Sequence, residues 1–206
     1  AVHVDAWQRL PEPSPALLAA ACRYYGAPAL LPVAGTQAAI QALPQLRARS
    51  RVAVVSPTYA EHAHQWRRAL HDVREVSHAG LEVDFDAVIA ACDVLVLCNP
   101  NNPTGARIAP ACLLDWAGRL AARGGWLIVD EAFGDTDPEL SVAQFSDRAG
   151  LIVLRSVGKF FGLAGLRLGF VAAERSTLKA LEDEIGPWSV SGPAQQIGCA
   201  ALADIG

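Results

Sequence analysis

Short apolar runs alternate along this chain with longer stretches of helical periodicity. Arg51 to Ser56 (RVAVVS), Asp93 to Cys98 (DVLVLC), Trp126 to Val129 and Leu151 to Leu154 are near-continuous apolar runs, the pattern of strands buried on both faces. Asp72 to Ser77 and Leu168 to Ala173 read as two further strands. The segment from Ser14-Pro15 through ALLAAACRYY to Gly26 carries every mark of a helix: a cap, a proline at the first position, an apolar body and a terminal glycine. Helices are also predicted for AAIQAL after the Gly35 turn, from about Tyr59 to Leu70, and over Phe85 to Ala91, Pro110 to Arg123, Glu174 to Glu184 and Ala194 to Ala203. Residues 134–150 are polar and read as a loop. Strands and helices in alternation predict an α/β fold: a mostly parallel sheet with helices on both faces.

Composition narrows this picture. A chain of 206 residues has room for one domain that buries roughly 70% of its unfolded surface. Hydrophobic residues at 52% and charged residues at 18% fit a folded body and argue against disorder. A net charge of −4 removes the electrostatic reason to expect nucleic acid. Cys22, Cys92, Cys98, Cys112 and Cys199 lack C-x-x-C spacing and mostly lie in apolar runs, so they are expected reduced and buried, with no disulfide framework or zinc site. No leader pattern and no uncharged run of transmembrane length is evident, which predicts a soluble, cytoplasmic protein with no membrane partner.

The chemistry concentrates in LIVLRSVGKFFGLAGLRLGF, Leu151 to Phe170. A strand delivers a polar turn that ends at Lys159, and Phe160, Phe161, Leu163 and Leu166 surround that lysine in sequence. An ammonium in apolar surroundings loses solvation, which favours the neutral, nucleophilic amine that forms imines. Arg167 stands ready to return a positive charge to the same pocket. The same segment also fits a strand-edge lysine whose stem lies along aromatics, with Arg167 in a surface ion pair.

Other positions sit at strand ends, where open α/β sheets bind ligands. Gly35-Thr36-Gln37 opens a helix and presents free N–H groups, either a phosphate site or a simple cap. Tyr59 follows the Arg51 run, and Asp130 closes the Trp126 run, where a carboxylate needs a partner. CNPNNPTG, Cys98 to Gly105, fixes Asn102 between prolines. Glu61-His62-Ala63-His64 places its two histidines at i, i+2, off a common helical face, so no metal site is expected.

CNPNNPTG, VDEAF (Val129 to Phe133) and the Lys159 segment, in this order and spacing, resemble the fold-type I pyridoxal-phosphate enzymes, the aspartate aminotransferase superfamily. The resemblance implies pyridoxal 5'-phosphate as cofactor, with Lys159 as the imine-forming amine and Asp130 paired with the protonated ring nitrogen. It implies that Tyr59 stacks on the pyridine and Asn102 bonds the phenolic oxygen. Gly35, Thr36, Gln37, Ser156 and Arg167 would share the phosphate.

LLPVAGTQAAIQALP, PTYAEH, DEAFGD and GPWSVSGPA further resemble the threonine-phosphate decarboxylases of cobalamin biosynthesis, neighbours of the histidinol-phosphate aminotransferases. Members of that group convert L-threonine O-3-phosphate to (R)-1-amino-2-propanol O-2-phosphate. Two positions depart from the aminotransferase pattern. Phe133 stands where a tyrosine usually bonds the phenolic oxygen, and Gly158 stands for a serine that often precedes the lysine. The first departure favours decarboxylation over transamination.

Against this family pattern, residues 1–206 read as the cofactor-binding large domain, without the amino-terminal arm and the small carboxyl-terminal domain, and the intact protein is expected to be a homodimer acting on a phosphorylated amino acid. The rival readings are a histidinol-phosphate aminotransferase and a non-catalytic, aminotransferase-like sensing domain. Arg9, Arg155 and His62 are candidates for contacts to the substrate phosphate.

Overall fold

The computed structural model describes residues 2–204, with residues 81–83 described for their backbone only; residues 1, 205 and 206 of the expected domain lie outside the described residues. Seven strands form one sheet: β1 (Leu30–Val33), β2 (Arg51–Ser56), β3 (Asp72–Ser77), β4 (Val94–Cys98), β5 (Trp126–Asp130), β6 (Leu151–Ser156) and β7 (Gly169–Ala172). Their order is β1-β7-β6-β5-β4-β2-β3. β2 pairs in parallel with β3 and β4, β4 with β5, and β5 with β6, whereas β7 runs antiparallel to both β6 and β1.

The helices are α1 (Asp5–Gln8), α2 (Pro15–Tyr25), α3 (Thr36–Ala42), α4 (Glu61–Arg68), α5 (His78–Val83), α6 (Phe85–Ala91), α7 (Pro110–Ala121), α8 (Arg175–Ile185) and α9 (Gly192–Ala203). Alternation along the strands sorts the core into two layers. Leu95, Leu97, Leu127, Val129, Leu151 and Val153 face α2, α6, α7 and α9. Val94, Val96, Ile128, Ile152 and Leu154 face α3, α4 and α8. Strands covered on both sides read as unbroken apolar runs, which is why the sequence marks them so clearly.

Ser14 caps α2 by accepting from the Leu17 N–H, and Gly26 ends it at φ 66°, a left-handed conformation suited to glycine. Sequence reasoning missed α1, the short 3-10 turns and three further features. β1 and the reversal of β7 are not visible because an apolar run carries no direction. The direction follows from the connection, since residues 157–168 hold one short 3-10 turn, Ala164–Leu166, and no crossover helix. The third is α5, a single short helix at the sheet's edge.

The cysteines are free, but only Cys92 and Cys98 are buried; Cys22 and Cys199 are half-buried and Cys112 is exposed. Cys112 lies on α7, an amphipathic helix, where an apolar run includes positions on the water-facing side. Among the described residues, no helix is long and apolar enough to cross a membrane.

Phe170, fully buried on β7 and 5.8 Å from the Tyr25 ring, tests the packing of the α2 layer. Phe170→Ala is expected to cost about 3–5 kcal/mol in equilibrium urea unfolding. A loss below about 1 kcal/mol contradicts this packing.

Candidate active site

β2 leads outward to β3 while β4 leads back toward β5 and β6, so a crevice opens at the carboxyl ends of these strands. Gly35, Thr36, Gln37, Tyr59, Asn102, Asp130, Phe133, Ser156, Lys159 and Arg167 line one cleft there. These ten positions come from six separate stretches of chain, and the sheet topology brings them together. Cys98 also lines the cleft.

The period of two along the strands decides what each residue faces. Cys98, Asp130 and Leu154 are register partners on adjacent strands, and Ser156 follows Leu154 by two. Cys98, Asp130 and Ser156 therefore share the α3/α4 side and form the floor of the cleft. Glu131 and Arg155, each one position away, fall on the other side. There the buried Arg155 guanidinium donates to Glu131 Oε2 at 2.7 Å and to Asp135 Oδ1 at 2.9 Å, and lies 4.5 Å from the Tyr25 ring centre. Glu131 also accepts from the Val142 N–H and the Ser141 hydroxyl. Burial pushes the Glu131 carboxyl upward against the pull of Arg155. Arg155 is thus committed to a buried ion cluster and is not a contact for substrate phosphate.

On the cleft side, His62 Nε2 lies 2.9 Å from Asp130 Oδ2, and the two side chains are 2% and 5% exposed. Asp130 Oδ1 accepts from the Ala132 N–H at 2.9 Å. Burial alone would depress the imidazole, but the Asp130 carboxylate and the Cys98 sulfur outweigh it and raise His62 to about 10. His62 is therefore a buried cation at neutral pH that fixes Asp130, not a free contact for substrate. Thr58 donates its hydroxyl to Cys98 Sγ at 3.0 Å. Sequence reasoning missed this partnership. The signal was the spacing: α4 starts five positions after the β2 end, so a residue in its first turn faces back over the sheet.

A second wall is shaped by glycines. Gly35 has φ 73°, and a Cβ there would fall 2.5 Å from Arg167 Nη2. A Cβ on Gly169 would fall 2.8 Å from the Thr36 nitrogen. The Gly35-Thr36 backbone, the Arg167 guanidinium and the Ser156 hydroxyl consequently border one small space. Gln37 is oriented differently from its expected role: its amide donates to Glu61 Oε2 at 2.7 Å, and its carbonyl oxygen accepts from the Tyr59 hydroxyl at 3.3 Å. Gln65 donates to the same Glu61 oxygen. The Gln37 side chain thus braces Tyr59, leaving its backbone for the turn.

Lys159 is exposed, which corrects the expectation of an apolar surround. Neighbours in sequence are not neighbours in space here: Phe160 points outward and Phe161 packs on Tyr24 at 5.6 Å between ring centres. The aromatic that meets the amine is Phe133, whose ring centre lies 5.4 Å from Lys159 Nζ. Arg167 is also exposed, and its guanidinium donates to the Ala164 carbonyl; among the described residues it pairs with no acid. Asn102 is exposed in the cleft, held by its neighbours: Asn99 clasps Ile108 through both side-chain atoms, and Asn101 donates to the Pro57 carbonyl and to Thr104.

A seven-stranded sheet with one reversed strand and a cleft at its parallel strand ends is the architecture of aminotransferase-like α/β enzymes. L-threonine-O-3-phosphate decarboxylase from Porphyromonas gingivalis matches it in fold, with a TM-score of 0.85 over 97% of this chain and 65% of that one, at 23% identity. The chain belongs to the aminotransferase class I and II family, whose sequence model matches residues 7–206. It is 57% identical over 204 residues to a threonine-phosphate decarboxylase from Pseudomonas aeruginosa and 48% identical over 208 residues to one from Sinorhizobium sp.. Those alignments take in 99% and 98% of this chain but 60% and 61% of the relatives, so the chain spans about three fifths of their length.

The His62–Asp130 pair predicts an alkaline limb in stability. A pKa raised from 6.5 to about 10 in the folded state means that the pair's contribution is complete below pH 6.5 and is lost as pH climbs through about 10. His62→Gln should therefore lose less stability than the unsubstituted protein between pH 7 and 10, measured by urea unfolding at both values. Equal losses would show that the pair does not titrate there.

Proposed function

We propose that the whole protein is a pyridoxal-phosphate-dependent decarboxylase of L-threonine O-3-phosphate, forming (R)-1-amino-2-propanol O-2-phosphate in cobalamin biosynthesis. The observation that carries the reading is the meeting of all ten expected positions in one cleft, in a chain 57% identical to a threonine-phosphate decarboxylase. The residues present fit the cofactor. Gly35 leaves beside Arg167 the cradle that a Cβ would fill, suited to a phosphate, and Asp130 offers a buried carboxylate on the floor, suited to a protonated ring nitrogen.

When bound, pyridoxal phosphate supplies an electron sink that makes bonds at the substrate's α-carbon labile. Asp130 would accept the ring N–H hydrogen bond, and the contact with His62 holds that carboxylate in place. The Gly35–Gln37 amides, Ser156 and Arg167 would hold the phosphate and so fix the cofactor's position. Tyr59, steadied by Gln37, would cover a ring face, and Asn102 would donate to the phenolic oxygen. Lys159 would hold the cofactor through its amine and is placed to move a proton at the substrate's α-carbon. Its exposure on the cleft wall leaves the amine room to swing. Phe133 offers a ring face and no hydroxyl, which leaves Asn102 with less help at the phenolic oxygen.

This reading takes the whole protein to be a cytoplasmic homodimer whose ligand is a phosphorylated amino acid. Incubation with L-threonine O-3-phosphate should release carbon dioxide, with no amino-acceptor requirement. Transamination of histidinol phosphate without carbon dioxide would contradict the proposal and favour the aminotransferase reading. Asp130→Ala should weaken cofactor retention and lower kcat by on the order of 10²-fold or more. Unchanged kcat and retention would remove Asp130 from the mechanism.

A further inference from the structure

The cleft floor holds three donors that the proposed reaction does not use as a set. His62, Cys98 and Asp130 come from α4, β4 and β5, and the ring nitrogen, sulfur and carboxylate oxygen they offer all lie within 4.8 Å of one another. All three are buried, and Cys98 and Asp130 line the cleft. Imidazole, thiol and carboxylate together make a three-ligand donor set for zinc, which would leave a fourth coordination site free. We propose that the cleft floor, when free of cofactor, binds a divalent ion of the zinc class, and that this ion and pyridoxal phosphate exclude one another.

The distances allow it. Around tetrahedral zinc, nitrogen and oxygen ligands at about 2.1 Å and sulfur at about 2.3 Å stand about 3.4–3.7 Å apart. The His62–Asp130 contact of 2.9 Å must open by about half an ångström, and a separation as long as 4.8 Å must close by about 1 Å, adjustments on the scale of side-chain rotation. Cys98 and Asp130 are register partners on paired strands, so the sheet sets their spacing, and His62 on α4 supplies the movable ligand.

The ligands also have outer partners of the kind that orient metal donors. The Ala132 N–H holds Asp130 Oδ1, leaving Oδ2 for the ion, and the Thr58 hydroxyl holds Cys98 Sγ. The fourth position faces the cleft and takes water. On binding, the ion replaces the proton between His62 and Asp130 and the thiol proton of Cys98, both of which leave to solvent. The set is invisible to a search for paired histidines because no two of its members are close in sequence.

Metal binding itself stands apart from the proposed function; only the exclusion rests on it. The test is titration of cofactor-free protein with Co²⁺, whose thiolate charge-transfer band reports a sulfur ligand. One saturable site per chain, with the band absent in Cys98→Ser and affinity at least tenfold weaker in His62→Gln, supports the proposal. Adding pyridoxal phosphate should release the cobalt and erase the band. No saturable band, a band that persists in Cys98→Ser, or cobalt and cofactor bound together would each overturn it. If either variant fails to fold, the band and its loss on cofactor addition decide the matter in the unsubstituted protein. A protein that binds cobalt with this signature but never binds pyridoxal phosphate refutes the proposed function while leaving the metal site standing.

Discussion

Asp130 and His62 meet at the bottom of the cleft with almost no water around either. Removing a carboxylate and an imidazole from water costs several kcal/mol per ion, and breaking such a pair by deleting one partner costs about 3–5 kcal/mol. The pair persists because three independent elements converge on it. Pairing of β5 with β4 and β6 sets Asp130 in register, the Ala132 N–H holds one carboxylate oxygen, and the first turn of α4 aims His62 at the other. Everything proposed for the cleft depends on that fixed carboxylate, since it is the group on the floor that a cationic ring would meet and that a metal ion would share with Cys98 and His62.

Its immediate neighbour turns the other way. Asp130 and Glu131 are consecutive, yet the pleat sends one to His62 and the other to Arg155, so two ionic clusters stand back to back across the sheet. Ser156 and Arg155 repeat the division on β6. A shift of one residue in the register of either strand would exchange the two sets and dismantle both clusters at once. The cleft's geometry is thus guarded by a polar network on its far side, which contributes no atom to the cleft itself.

Much of this was legible in the residues. Unbroken apolar runs mark strands buried on two faces, the carboxylate ending one of them marks Asp130, and Asn102 stands out between its two prolines. Ser14 and Gly26 bound α2 by local rules alone. What stayed hidden was set by partners distant in sequence. His62 reads as a candidate phosphate contact until Asp130, 68 positions on, is placed beside it. Arg155 reads as part of a polar turn until β6 carries it into the core against Glu131. Lys159 reads as buried because its sequence neighbours are aromatic, whereas the turn after β6 sends Phe160 to solvent and Phe161 to Tyr24.

The chain has two lysines, Lys159 on the cleft wall and Lys179 on α8, where the latter is bonded to Asp183 at 2.7 Å. Borohydride reduction of the protein loaded with pyridoxal phosphate, followed by peptide mapping, therefore distinguishes two clear outcomes. The account predicts a stable label on the peptide that contains Lys159. A label on Lys179, or no label on either, would contradict it.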